Sequence, residues 1–130
     1  MKTLIVEDDF TSRILLQELL QDYGSCHVAV NGKEAVAAVR LALEANAPYA
    51  LICMDIMMPE MNGQQALEAI RQHEQDRGIF SSNGAKIIMT TSLNDLKNVH
   101  KAYFNLCDAY LIKPIHQAKL IEELQKLKLI

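Results

Sequence analysis

The sequence predicts an α/β fold: a doubly wound parallel sheet of five strands with helices on both faces, built from five consecutive βα units. Three observations carry that prediction. Short apolar runs of strand length alternate with longer segments whose apolar residues recur at helical spacing, and such alternation leaves little but a parallel sheet joined by right-handed crossovers. One run, Leu51-Ile52-Cys53-Met54 leading into Asp55 and bracketed by Pro48 and Pro59, is apolar on both alternating faces, as a strand covered on both sides must be. Finally, Asp8, Asp9, Asp55, Thr91 and Lys113 all fall at carboxyl ends of strands, the edge of an open α/β sheet where ligands bind. Five units are too few to close a barrel.

The elements follow in order. Thr3 to Val6 is a strand that runs into Glu7-Asp8-Asp9, three adjacent acids that are costly unless a cation or a helix start uses them. A helix extends from about Phe10 to Tyr23, with Phe10, Ile14, Leu16, Leu19, Leu20 and Tyr23 at helical spacing, Asp9 able to cap it and Gly24 placed to end it. Cys26 to Val30 is the second strand, and Asn31-Gly32 turns into a helix from Lys33 to about Ala45. After the Asp55 strand, the turn Pro59-Glu60-Met61-Asn62-Gly63 opens a third helix, about Gln64 to Gln75, that directs Ala66, Leu67 and Ile70 inward. Asp76 to Ala85 is a polar, glycine-punctuated loop and the predicted mobile segment. Lys86 to Thr90 is the fourth strand. A fourth helix, about Asn94 to Leu106, directs Leu96, Val99, Tyr103 and Leu106 inward; Ala109 to Ile112 is the last strand, and His116 to Leu127 the last helix, with Leu120, Ile121, Leu124 and Leu127 as its apolar stripe.

Composition narrows the class. With 130 residues the chain is expected to be one domain, 1–130, with no room for an output domain. No apolar run reaches the length of a membrane span and the start turns acidic too soon for a signal peptide, so a soluble cytoplasmic protein is expected, with no membrane partner. A net charge of -3 with scattered basic residues offers no footprint for nucleic acid. Cys26, Cys53 and Cys107, and the histidines His27, His73, His100 and His116, show no ligand spacing and are assigned no function. Asp8, Asp9 and Asp55, offset by the single ammonium of Lys113, would carry about two negative charges, which a hard divalent cation such as Mg²⁺ neutralises.

These residues together resemble the receiver domain of a two-component response regulator, CheY-like, from the first strand to the last helix. The resemblance rests on Glu7-Asp8-Asp9, on Met54-Asp55 with Met58-Pro59 and Asn62-Gly63, on Thr91-Ser92, and on Tyr110 three residues before Lys113-Pro114. It implies a flavodoxin-like topology with strand order 2-1-3-4-5. It implies that Asp55 is the phosphoacceptor, that Asp8, Asp9, Asp55 and the backbone carbonyl of Met57 hold Mg²⁺, and that Lys113 pairs with the phosphoryl group. Thr91 would hydrogen-bond to that group, Tyr110 would turn inward on its arrival, and the bond before Pro114 would be cis. Such a protein is no enzyme on a separate substrate; it catalyses its own phosphorylation and dephosphorylation. The expected donor is a sensor histidine kinase or a histidine phosphotransfer protein. The expected output surface is the fourth helix, last strand and last helix, including Lys97, His100, Lys101 and Phe104.

Two departures from the family pattern stand out. Leu106 occupies the position usually held by glycine after the fourth helix, and the loop before the fourth strand is several residues longer than usual. Rival chemistries fit less well. An aspartyl phosphatase needs a general acid two residues beyond its nucleophile, where this chain has Met57, and a flavin-binding loop after the first strand would be repelled by Glu7-Asp8-Asp9. The remaining alternative is a receiver-like interaction module that works without phosphorylation.

Overall fold

The computed structural model describes residues 1–80, 83–96 and 106–130. Five strands, β1 (Thr3–Val6), β2 (Cys26–Ala29), β3 (Leu51–Asp55), β4 (Lys86–Thr91) and β5 (Ala109–Ile112), form one sheet in the order β2-β1-β3-β4-β5. Every pairing is parallel, with Ile5 opposite Cys53, Asp55 opposite Thr90 and Thr91 opposite Ile112. The central strands β1 and β3 are buried along their whole length. This is the flavodoxin-like topology expected of the sequence.

Strand alternation sorts the core into two layers. Leu4, Val6, Ile52, Met54, Ile87 and Met89 face one side, where α2 (Gly32–Glu44) contributes Ala35, Val39, Ala42 and Leu43 and α3 (Gly63–Asp76) contributes Ala66, Leu67 and Ile70. Ile5, Leu51, Cys53, Ile88 and Leu111 face the other, covered by Leu16 and Leu20 of α1 (Phe10–Leu20) and by Leu120 and Leu124 of the last helix, α5 (Gln117–Lys126). Each fully buried leucine or isoleucine contributes about 1.5–3 kcal/mol.

Element ends depart from the sequence expectation by capping chemistry. Asn31 takes the amide of Glu34 on its side chain, so α2 begins at Gly32, before Lys33. Asn62 and Gln65 form a reciprocal capping box that starts α3 at Gly63. α1 stops at Leu20 and tightens into a 3₁₀ turn, Gln21–Tyr23, before Gly24 at φ 136°. Its apolar periodicity overstated burial: Phe10 is 66% exposed and Ile14 is also exposed, because α1 meets the sheet only along the Leu16–Leu20 side. The described part of the fourth helix, α4, is Leu93–Leu96. The side chain of Leu96, the inward placement of Val99 and Tyr103, and the surface residues Lys97, His100, Lys101 and Phe104 lie outside what is described. Leu106 is described; it sits in a turn and packs against the α2/α3 layer.

Buried Glu74 of α3 organises the loop before β4. Its backbone carbonyl accepts from Ile79 and its carboxylate from the amide of Ala85 at 2.8 Å, while Arg77 reaches the Leu43 carbonyl. The same carboxylate pairs with Arg71 at 2.7 Å.

Candidate functional site

The site is an extension of the sheet's own alternation. Ile5, Cys53 and Leu111 point into the α1/α5 layer. Two residues further along each strand stand Glu7, Asp55 and Lys113, carried to the same face at the carboxyl edge. Lys113 Nζ bridges the two acids, donating to Glu7 Oε2 at 2.8 Å and to Asp55 Oδ2 at 3.1 Å. Asp8, at the exposed rim, completes a set: one carboxylate oxygen from each of Glu7, Asp8 and Asp55 lies within 4.8 Å of the others.

The third acid differs from the expected one. Asp9 has already left the strand; it is exposed and accepts the Ser12 amide at 2.9 Å as the N-cap of α1. That hydrogen bond holds its carboxyl below the usual range. Glu7 takes its place in the cluster, wholly buried beneath the rim. Counting by two from Ile5 would have found Glu7; the resemblance set the acidic pair one residue further along, at Asp8 and Asp9.

The cluster's electrostatics follow from crowding. Burial pushes the Glu7 carboxyl up to about 7, against the opposing pull of its hydrogen bond to Lys113, and the charge of Asp55 adds to the rise. Burial works against the Lys113 ammonium, but its hydrogen bond to Glu7 and the charges of Asp55 and Glu7 outweigh that cost and hold its pKa above the ordinary value. Three carboxylates served by one ammonium supply hard oxygen donors and excess negative charge, which suits Mg²⁺.

Around the cluster, the Met57 amide donates to Asp55 Oδ1 at 3.2 Å, which sets the backbone of the β3–α3 loop against the carboxylate, while the Met57 side chain is 56% exposed. Thr91 is buried at the end of β4, its hydroxyl donating to the Ser92 carbonyl at 3.2 Å. Tyr110, on edge strand β5, is 48% exposed. The Lys113-Pro114 peptide is cis. Leu93 is exposed at the start of α4. Lys113, Asp55 and Asp8 are thus brought together; Asp9 is turned to capping, Thr91 stands at the end of β4, and Tyr110 lies earlier in β5, in register with Met89.

Sequence comparison agrees with this geometry. The sequence pattern of the response regulator receiver domain matches residues 3–125, and the chain belongs to that family. It is a receiver domain of the two-component phosphorelay kind. Over 128 residues it is 34% identical to the sensor histidine kinase GacS of Pseudomonas protegens, a match covering 96% of this chain but only 13% of that kinase. Among solved structures it is similar to the receiver domain of the sensor histidine kinase PA1611 of Pseudomonas aeruginosa, which has a magnesium ion coordinated in its active site cleft (TM-score 0.76, 25% identity, 97% of this chain and 95% of that one). It is also similar to the receiver domain of the response regulator Ssk1 of Saccharomyces cerevisiae, crystallised with the histidine phosphotransfer signaling protein Ypd1 (TM-score 0.79, 29% identity, 98% and 88%).

Proposed function

We propose that the chain is a phosphoacceptor that takes a phosphoryl group onto Asp55 and changes its partner binding in response. The observation that carries this reading is Lys113 Nζ held between Glu7 and Asp55 at the sheet's carboxyl edge. An Asp55 carboxylate oxygen attacks phosphorus in line as the donor's bond to phosphorus breaks, through a loose transition state that needs mainly positioning and charge stabilisation. Lys113 supplies a fixed positive charge for the phosphoryl oxygens, and the Thr91 hydroxyl exchanges its bond to Ser92 for one to the new group. A Mg²⁺ held by Glu7, Asp8, Asp55 and the Met57 carbonyl, with Asp9 left to its cap, would offset the remaining negative charge. The modified carboxylate carries close to two negative charges, enough to draw in Thr91 and to shift Tyr110 from its outward position.

The phosphodonor on this reading is a histidine kinase or phosphotransfer protein, in keeping with the relatives above, and Phe10, Ile14 and Leu15 give it an exposed apolar surface beside the cluster. Output runs through α4, β5 and α5. A groove of about 430 Å³ between β5 and α5, lined by Tyr110, Ile112, Lys119 and Glu123, supports that assignment. Residues 1–130 act as one receiver unit in the cytoplasm; no described helix is long and apolar enough to cross a membrane. The test is intact-mass analysis after incubation with Mg²⁺ and acetyl phosphate. One added phosphoryl on the wild type and none on Asp55→Ala is expected; an unmodified wild type would leave the phosphorylation-independent interaction module as the reading.

The same geometry bears on lifetime. Hydrolysis needs a water aligned behind the phosphorus, and the exposed side chains at the rim, Met57 and Leu93, accept no strong hydrogen bond from water. The phosphorylated state is therefore long-lived. Met57→Asn and Leu93→Glu should each speed loss of the label by about tenfold once the donor is removed, as positioning effects of this kind do. Decay no faster than wild type in both variants counts against shielding.

A further inference from the structure

Two glycines set how closely other segments approach the β3–α3 loop, residues 56–63. From inside, Gly63 lies so near the Asp55 carbonyl oxygen that a side-chain carbon would overlap it, and that carbon would also stand 2.8 Å from Ile56 Cα. From outside, Gly32, the first residue of α2, faces Met61: a side-chain carbon there would overlap the Met61 carbonyl oxygen and stand 2.9 Å from Met61 Cγ. Gly32 is buried within a regular helix, so its own backbone would accept alanine. The neighbour excludes it.

We propose that Gly32 is a positioning residue for the cation site: its bare backbone sets how deeply Met61 seats, and the loop passes that setting to Asp55 and the Met57 carbonyl. This rests on the reading of Glu7, Asp8 and Asp55 as a cation site. The loop transmits a displacement because it is tied along its length. The Met57 amide holds Asp55 Oδ1, the Gly63 amide holds the Ile56 carbonyl at 2.7 Å, the Met61 amide holds the Pro59 carbonyl at 2.8 Å, and the Asn62–Gln65 capping box anchors its far end. Glu60, at φ 66°, already occupies the left-handed region, which leaves the loop little freedom to absorb a methyl group by twisting there. The opposite wall is firm too: Asn31 caps α2, and the Glu34 side chain takes the Val30 amide at 3.2 Å.

The decisive variant is Gly32→Ala, measured in two ways. Calorimetric titration should show Mg²⁺ affinity reduced by about tenfold, the low end of what groups behind metal ligands contribute. Amide resonances of the metal-free protein should shift most in residues 56–63, across space from the substitution. Ala42→Gly, on the same helix but away from Met61, is the control: it weakens α2 and should leave Mg²⁺ affinity within twofold of wild type. If Gly32→Ala does not fold, Met61→Ala removes the Cγ contact and should give a smaller loss of affinity. Unchanged affinity and loop resonances in Gly32→Ala, an equal loss in Ala42→Gly, or an indifferent Met61→Ala each overturn the assignment of Gly32. A wild-type chain that takes no Mg²⁺ overturns instead the cation reading on which it rests.

Discussion

Two ionic clusters stand out among the described residues, and they are built to opposite ends. At the carboxyl edge, one ammonium bridges Glu7 and Asp55 while Asp8 adds a third carboxylate to the group. Between α3 and the segments that lead into β4 and β5, the guanidinium of Arg71 finds an acceptor on each of its three nitrogens. Its Nε donates to the Leu106 carbonyl, Nη1 to Glu74 and the Ala85 carbonyl, and Nη2 to Asp108 at 3.0 Å. The two carboxylates also accept the amides of Ala85 and Ile87. Buried charge that is paired and hydrogen-bonded on every side holds a structure in one arrangement; charge left in excess is poised for something to arrive. The first cluster has the character of a site and the second that of a clamp.

Breaking the clamp should have the largest effect. Arg71→Met leaves Glu74 without its cation inside the protein and frees Asp108, so urea denaturation should report a loss of about 3 kcal/mol, near the low end for an orphaned buried charge because Asp108 is partly exposed. The site should respond in the other direction. Asp55→Asn removes one of three mutually repelling carboxylates while Glu7 keeps Lys113, and the metal-free protein should gain about 1 kcal/mol in the same measurement, the familiar exchange of stability for function. A loss of stability there would mean that the acidic edge is structural and that the contrast is mistaken.

The smallest effect sharpens the contrast from outside both clusters. On exposed α5, the hydrogen bond from Lys126, with the charges of Lys119 and Lys126, holds the Glu122 carboxyl below its ordinary value of 4.5. A depressed carboxylate stabilises the fold above its unfolded pKa and loses that contribution as pH falls through the lower folded value. Glu122→Gln should therefore be measurably less stable than wild type at pH 7, and the gap should close in acid as the pH falls through the lowered folded value. A gap that persists in acid would point to a packing effect.

How far the sequence could be read depended on which regularity a residue obeyed. Strands, layers and the strand-end placement of Asp55 and Lys113 follow from periods of two and 3.6, and these were legible. Glu7 was missed although it obeys the period of two, because a run of acids hides which member still belongs to the strand. Arg71 and Glu74 are three apart on a helix, a spacing that by itself carries no sign of burial; the approach of the Ala85 and Leu106 backbones buries them, and nothing local records that approach. Phe10 and Ile14 keep helical spacing yet face outward, since periodicity reports a stripe and not what lies opposite it.

The sorting of side chains by strand parity has one more consequence. Asp55 continues the row of Leu51 and Cys53, on the α1/α5 side, whereas Thr91 continues the row of Ile87 and Met89, on the α2/α3 side. Within the sheet these two layers are insulated from each other by a wall of backbone. At its rim the wall ends, and on the proposed reading a hydroxyl that swings from Thr91 towards a phosphorylated Asp55 would pass around it. News of phosphorylation on one side would then reach the packing on the other by a route one side chain long, with no strand having to bend.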